Sequence, residues 1–520
     1  MSSETKIKVL ITDSFSSEGI ALLKKEGYKV DLDPSLDGNE LKKEIAGYHA
    51  LIIRSGTTVT SDIIERANSL RIIGRAGVGV DNIDVEAATR KGIIVMNTPG
   101  GDTISACEHT WALILSLVRN IPRAHQSLKE GKWDKKSNKG TELYGKTLGI
   151  IGLGKIGSEV ARRAKGFGMK IKVFDPYVSE TLIEELEAVA TEFDEIIETS
   201  DIITVHVPKN EKTINMLNAI VLNKMKKSAY LINCARGGIV NEEDLADAVG
   251  REIIKGAAVD VYSIEPTTES PVFNSDGIIH TPHLGASTEE AQERVAVEIV
   301  RQVAAYFKNS SIVNAVNIYG PKADAPLFEL AYKLGSVCGQ LSKKLCKKII
   351  LSTDERIKKE HENSLVRALL NGYLSCFNDG INFVNALLIA KEKNIEVVKQ
   401  QTNTEGFHEL LSVNIDNKVS VKGGIPGEVS RIYEINNFEI DIPLKGKILM
   451  IRNNDVPGVI GFVGTLLGEY GINIGFMEVG RKTEGGTALT LIGIDQSVSS
   501  ELLKKLSNEK RIESVGALSV

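Results

Sequence analysis

"TLGIIGLGKIGSEVARRAKGFGMKIKVFD", from Thr147 to Asp175, decides how the rest of the chain is read. An apolar run ends in Gly152-x-Gly154-x-x-Gly157, an amphipathic stretch follows at helical spacing, and a second apolar run ends in Asp175. Strand, glycine turn, helix and strand in this order, with an acid about 20 residues beyond the glycines, form a dinucleotide-binding fingerprint. Gly152 permits the tight turn, Gly154 lets the backbone approach a pyrophosphate, and Gly157 lets helix and strand pack closely. Lys155 and Ile156 open the helix, whose free N–H groups favour an anion. Asp175 suits two ribose hydroxyls and repels a 2′-phosphate, so the expected cofactor is NAD rather than NADP. The plain alternative is a structural glycine turn beside a surface aspartate, and the strand–helix–strand context weighs against it.

The α/β pattern extends both ways from this anchor. Downstream, "DIITVHV", "AYLINC", "GAAVDV" and "GIIHTP" continue the same unit. Upstream, "IKVLIT", "YKVDL", "ALIIRS", "RIIGRA" and "IIVMN" alternate with amphipathic stretches between residues 7 and 99, giving a second parallel α/β unit of flavodoxin type. "ISACEHTWALILSLVRN" reads as a helix between the two units, and a helical pattern from Ser287 to Phe307 leads back toward "VNIYGP". Residues 321–440 begin helical and end in strand-like segments. Residues 446–520 follow the order β-α-β-β-α-β, a ferredoxin-like pattern.

Ligands of an open parallel sheet bind beyond the carboxyl ends of its strands. After Asp175, those ends carry Val207 and Pro208, then Cys234, Ala235 and Arg236 in "NCARGG", then Asp260 followed by Glu265, then His283 and Gly285 in "TPHLGAS". An arginine forks a carboxylate. A histidine takes or gives a proton near neutral pH. A glutamate beside it fixes the ring's tautomer and stabilises its protonated form. Beside a nicotinamide, these parts suit oxidation of an alcohol next to a carboxylate, with Arg236, Glu265 and His283 as the catalytic candidates. Gly152, Gly154, Lys155, Ile156, Gly157, Asp175, Val207, Pro208, Cys234, Ala235, Asp260 and Gly285 are the cofactor candidates. Each of the catalytic three has a plain alternative: a loop salt bridge for Arg236, a solvated acid for Glu265, a helix cap for His283. Their convergence on one crevice weighs against all three together. His280, three residues before His283, is expected inside its strand with its ring against a covering helix. Cys234 reads first as a small buried residue.

Composition sets the outer bounds. A chain of 520 residues calls for three or four domains. Hydrophobic content of 42% and charged content of 25% are those of a globular chain. A net charge of −5 gives no basic footprint for nucleic acid. "MSSETKIKVLITD" lacks a signal-peptide pattern, and no apolar run is long enough to span a membrane. Five scattered cysteines without a Cys-x-x-Cys pair indicate neither a metal site nor a disulfide framework, and a reducing cytoplasm is the simplest setting.

"GIIGLGKIG", "INCARGGIVNEEDL", "AAVDVYSIEP" and "TPHLGASTEEAQ" closely resemble the D-isomer-specific 2-hydroxyacid dehydrogenases. The two C-terminal pieces match the order of that family's long form, which acts on 3-phosphoglycerate. The resemblance implies a Rossmann domain (100–285) inserted in a flavodoxin-like substrate domain (1–99 with 286–318), then an α+β intervening domain (319–445) and a ferredoxin-like ACT domain (446–520). It implies that Arg236 binds the substrate carboxylate, Glu265 supports the histidine, and His283 is the general acid/base. Similar enzymes oxidise 3-phosphoglycerate to 3-phosphohydroxypyruvate with NAD, the first step of serine synthesis.

Arg54, Ser55 and Arg75 are the expected substrate residues, with surface ion pairs as the alternative for the two arginines. Asp102 stands where asparagine is expected. Its charge is unhelpful beside a phosphorylated substrate unless it points away or pairs with a cation. Paired ACT domains of similar enzymes bind L-serine as feedback inhibitor, which by position points to Asp455 and Asn473. Alternatively, Asp455 only shapes the "DVPG" turn and Asn473 only caps a strand, and Asn453 replaces an expected aromatic residue. Family analogy implies a homotetramer or homodimer. A glyoxylate or hydroxypyruvate reductase is a second reading, opposed by the two C-terminal domains, which simpler members lack. A nucleotide-sensing corepressor is a third, opposed by the regulatory tail and the lack of long disordered arms.

Overall fold

The computed structural model describes residues 6–318, 324–403 and 409–520. Its first sheet contains β1 (Lys8–Ile11), β2 (Lys29–Leu32), β3 (Ala50–Ile53), β4 (Ile72–Arg75) and β5 (Ile94–Met96), all parallel, in the order β2-β1-β3-β4-β5. This is the flavodoxin order. The central strand β3 is an unbroken run of buried Ala, Leu and Ile because helices cover both faces of the sheet. One cover is the helix Glu289–Asn309. It lies so close to β4 that a Cβ added to Gly74 would meet Ile299 Cγ1 at 2.8 Å.

The second sheet contains β6 (Thr147–Ile151), β7 (Lys170–Phe174), β8 (Val189–Ala190), β9 (Ile202–Val205), β10 (Tyr230–Asn233), β11 (Gly256–Val259) and β12 (Ile278–His280). All are parallel, in the order β12-β11-β10-β9-β6-β7-β8. The order reverses between β6 and β9, so the crevice of this sheet opens at their carboxyl ends. The glycine loop leaves β6 there.

The third sheet contains β13 (Lys348–Asp354), β14 (Glu396–Thr402), β15 (Glu409–Ile415), β16 (Val419–Gly424), β17 (Arg431–Ile435) and β18 (Phe438–Pro443), in the order β14-β13-β15-β16-β17-β18. Only β13 and β14 are parallel; the rest are antiparallel. Helices Ala325–Leu341 and Glu362–Leu374 cross at backbone contact. A Cβ on Gly335 would lie 2.1 Å from the Leu369 carbonyl, and one on Gly372 2.0 Å from that of Tyr332.

The last unit contains β19 (Lys447–Asn454), β20 (Ile474–Arg481), β21 (Thr487–Ile494) and β22 (Ile512–Ser519), with helices Val459–Glu469 after β19 and Ser500–Ser507 after β21. Its sheet order is β20-β21-β19-β22, all antiparallel neighbours. Strand alternation splits its apolar residues between two faces. Leu449, Ile451 and Ile492 face the unit's own helices. Ile448, Leu489, Leu491 and Leu518 join the core of the third unit. The third unit in turn docks on the first: Asn382 Nδ2 donates to the Gly92 carbonyl at 3.0 Å, Arg90 Nε donates to Glu392 Oε1 at 3.0 Å, and Val384 is buried in the first sheet's core.

His280 departs from expectation. It is the last residue of the three-residue strand β12, at the edge of its sheet, and it is exposed. Its ring lines the cleft and packs on Phe273, in the short 3₁₀ helix Pro271–Asn274, with centroids 4.9 Å apart. Among the described residues, no helix is long and apolar enough to cross a membrane.

Candidate active site

Gly152 adopts φ 96°, and a Cβ there would meet the His206 carbonyl oxygen at 2.6 Å. Gly157 is equally constrained, since its Cβ would lie 2.1 Å from the Gly152 carbonyl oxygen. Gly154 differs: it caps the helix Lys155–Gly166, and nothing stands within 4 Å of where its Cβ would be. That open space lies at a helix N-terminus, the place an anion favours. Asp175 is aimed into the same crevice by two backbone donors, Leu153 N at 2.8 Å and Tyr177 N at 2.9 Å. Val207 follows β9 and packs its Cγ1 toward Gly152. Lys155 ties the crevice to the neighbouring unit by donating Nζ to the Pro99 carbonyl. The open space at Gly154 and the helix N-terminus suit a dinucleotide's pyrophosphate, and the Asp175 carboxylate suits its ribose.

Between the first two units lies a cavity of about 710 Å³. Arg54, Ser55 and Arg75 line one wall, and Glu265 and His283 the other. His283 Nδ1 lies 2.5 Å from Glu265 Oε2. The His283 backbone is left-handed, φ 56°, an uncommon conformation for a non-glycine residue. It is held there by the buried Asp260. Asp260 O accepts from His283 N at 2.8 Å, Oδ1 from Thr281 Oγ1 at 2.6 Å and Leu284 N at 2.7 Å, and Oδ2 from Gly285 N at 2.9 Å. His109 Nε2 stands 3.1 Å from Asp260 Oδ1. Burial pushes the Asp260 carboxyl up, but the hydrogen bonds from His109, Thr281 and Leu284 overcome it and hold it below the usual carboxylate range. With its carboxylate so engaged, Asp260 is the anchor of the histidine turn.

Glu265 is governed by the same opposition. Burial raises its carboxyl, while the His283 ring and the Tyr262 N–H (2.7 Å to Oε1) more than offset that and leave it lowered. It is therefore an anion at neutral pH.

Arg236 reaches across the cleft from the turn after β10. Its Nε donates to Asp81 Oδ2 at 3.0 Å, and its guanidinium lies where a Cβ on Gly79 would stand. Arg75, at the end of β4, is lowered to about 10 by burial and by the charge of Arg236, and among the described residues its Nε has no hydrogen-bond partner. Arg54 is set by its loop: Asp13 accepts from Arg54 N at 2.7 Å and Gly56 N at 3.0 Å, and Asn82 donates to the Arg54 carbonyl at 2.7 Å. Asp102 does not point away from this group. It is buried in the cavity wall within the field of Arg75, Arg236 and Arg294. Burial and the charge of Asp260 push the Cys234 thiol up, so it stays protonated and unreactive.

The sequence-derived residues thus separate into two places, a glycine-lined crevice and a cationic cavity with a histidine–glutamate pair on its far wall. Asp81, His109 and Thr281 were missed. Asp81 lies in the "GRAGVGVDNID" run, but only contact with Arg236 distinguishes it. Nothing local marks His109 or Thr281.

At the other end of the chain, Asp455 and Asn473 do not meet. Asp455 follows β19 and is bonded to Arg481, at the carboxyl end of β20. Asn473 precedes β20 and donates to Asp495 at 2.7 Å. The length of β20 separates them, roughly 25 Å at the usual rise per residue. Asn453 is buried, accepting from Thr490 Oγ1 at 2.9 Å in a cross-strand bond.

Three family models match the chain: "D-isomer specific 2-hydroxyacid dehydrogenase, NAD binding domain" over residues 111–285, "D-3-phosphoglycerate dehydrogenase intervening domain" over 325–436, and "ACT domain" over 447–511. The D-3-phosphoglycerate dehydrogenase of Methanocaldococcus jannaschii is 40% identical over 99% of this chain and 100% of that protein. The Bacillus subtilis enzyme of the same name is 39% identical over 98% of each. Among solved structures, D-lactate dehydrogenase from Aquifex aeolicus with NAD and lactic acid aligns with a TM-score of 0.52 and 28% identity, covering 58% of this chain and 95% of that one. The NAD-dependent formate dehydrogenase of Staphylococcus aureus with NAD aligns at 0.54 and 30%, covering 59% and 98%. The chain therefore belongs to the NAD-dependent D-isomer specific 2-hydroxyacid dehydrogenases, on their D-3-phosphoglycerate dehydrogenase branch.

Proposed function

We propose that this chain oxidises 3-phospho-D-glycerate to 3-phosphohydroxypyruvate with NAD, the entry to serine synthesis. The observation that carries the reading is the His283–Glu265 pair, 2.5 Å apart, on the wall opposite Arg54 and Arg75. With Nδ1 committed to Glu265, the neutral ring keeps Nε2 as its acceptor. Nε2 takes the C2 hydroxyl proton, and Glu265 stabilises the imidazolium that results. The hydride acceptor is the nicotinamide of NAD. Arg236 forks the substrate carboxylate. Arg54, Ser55 and Arg75 hold the phosphate. Gly154 and Lys155 receive the cofactor's pyrophosphate at the helix N-terminus, and Asp175 its ribose. In the reverse direction His283 returns the proton.

The regulatory reading follows from the opposite ends of β20. Asp455 and Asn473 of one chain are too far apart to grip one amino acid, so an L-serine site using both takes one residue from each of two copies. That requires a homo-oligomer joined in part through its ACT units. The five cysteines are free, which suits a reducing cytoplasm.

The test is NADH formation from NAD and 3-phosphoglycerate at alkaline pH, with product removed by coupling. NADH formation from 3-phosphoglycerate that outpaces NADH oxidation by glyoxylate or hydroxypyruvate, each assayed with NADH supplied, supports the reading. Turnover on the latter two alone would replace it with that of a glyoxylate or hydroxypyruvate reductase.

A further inference from the structure

Asp102 stands immediately before the helix Thr103–Val118, 8% exposed, in the wall of the cationic cavity. Among the described residues its Oδ1 has no hydrogen-bond partner. A buried carboxylate oxygen left unsatisfied is costly and calls for a reason. Three arginines act on it. Arg75 comes from the end of β4, Arg236 from the turn after β10, and Arg294 from the helix Glu289–Asn309. Arg294 Nε donates to Gly101 O at 3.0 Å, beside Asp102, and Lys155 holds the Pro99 carbonyl of the same loop. Across the cavity stand Arg54 and the His283–Glu265 pair.

Without substrate, Asp102 is the counter-charge inside the arginine group. A substrate bearing a carboxylate and a phosphate brings its own negative charge to the same cations. Two anions sharing one half-buried space drive one of them to the protonated form. Burial already pushes the Asp102 carboxyl up despite the arginines, so it is the member prepared to yield.

We propose that Asp102 is a proton-accepting member of the substrate site: it takes up a proton from solution as the anionic substrate enters and, once neutral, donates that proton in a hydrogen bond to a substrate oxygen. The carboxylate gains H⁺ and no other bond is made or broken. The site thereby exchanges an internal counter-ion for the substrate's charge. This rests on reading the cavity as the seat of a phosphorylated hydroxy acid.

The test is calorimetry of 3-phosphoglycerate binding to the enzyme–NADH complex at about pH 8, where the phosphate is already a dianion, in buffers of different ionisation enthalpy. The wild-type complex should take up more protons than Asp102→Asn, by about one per site, and its Kd should rise more steeply with pH, by up to about tenfold per unit. Infrared difference spectra of the wild-type complex should gain a protonated-carboxyl band on binding that Asp102→Asn lacks, and retained NADH binding shows that the variant is folded. Binding with equal proton uptake in both proteins and no such band would overturn the proposal and leave the functional reading standing. Absence of 3-phosphoglycerate binding to wild type would overturn the functional reading, and this proposal with it.

Discussion

Glu265 holds His283 by Nδ1 at 2.5 Å, while the His283 backbone, at φ 56°, is bonded to the buried Asp260. One carboxylate sets the ring and the other sets the turn that carries it. Replacing Glu265 by Gln keeps an acceptor of the same shape and removes the charge that stabilises the imidazolium. We expect kcat to fall by about 10²-fold with the Kd for NADH unchanged. Steady-state rates and NADH fluorescence titration check both.

Asp260 acts through structure, and pH separates it from Glu265. Asp260→Ala leaves the Leu284 and Gly285 N–H groups unpaired and should cost about 3 kcal/mol in urea unfolding at neutral pH. The wild-type carboxyl is held below its ordinary value. Its contribution is therefore fully present above the unfolded value, about 4, and is lost as pH falls through the lowered folded value. The difference between wild type and variant should shrink on acidification below about pH 4. A constant difference would mean that the charge is not what holds the turn.

Arg236 and Asp81 form the bridge across the cleft at 3.0 Å, with Asp81 65% exposed. An exposed pair contributes little by itself, so Asp81→Asn should change KM for 3-phosphoglycerate by less than about threefold. Arg236→Lys should raise it by about 10²-fold, because an ammonium cannot fork a carboxylate. A large effect of Asp81→Asn would mean that the bridge, rather than the arginine's own contact, controls binding.

The glycine loop offers a contrast between neighbours. Gly157→Ala places a Cβ 2.1 Å from a backbone oxygen, whereas Gly154→Ala meets nothing. Gly157→Ala should lower the midpoint of unfolding by several degrees, as about 1–3 kcal/mol of overpacking does. Gly154→Ala should leave it in place while raising KM for NAD. Differential scanning calorimetry and NAD titration separate the two roles.

Both parallel sheets were legible because their strands are continuous apolar runs between amphipathic helices, and because the glycine turn fixes direction. The edge strand β8 is two exposed residues and carries no periodic signal. In the third unit, the helix before β13 packs on the helix between β13 and β14 through backbone contact at Gly335 and Gly372, and hydrophobic pattern does not encode that. His280 and His283 were separated on a sound rule, since strand residues alternate faces. The rule failed for His280 because its strand ends there, at the sheet edge, which leaves the side chain exposed in the cleft beside Phe273. The surroundings of Asp102 were not legible in sequence because Arg75, Arg236 and Arg294 come from three separate elements.

The central claim is that His283 moves the substrate proton and that Glu265 makes this possible. The most direct measurement is turnover of 3-phosphoglycerate with NAD by His283→Ala, alongside its Kd for NADH. The account predicts that turnover falls by at least about 10²-fold while NADH binds as to wild type. Retained turnover with intact NADH binding would remove His283 from the chemistry and contradict it.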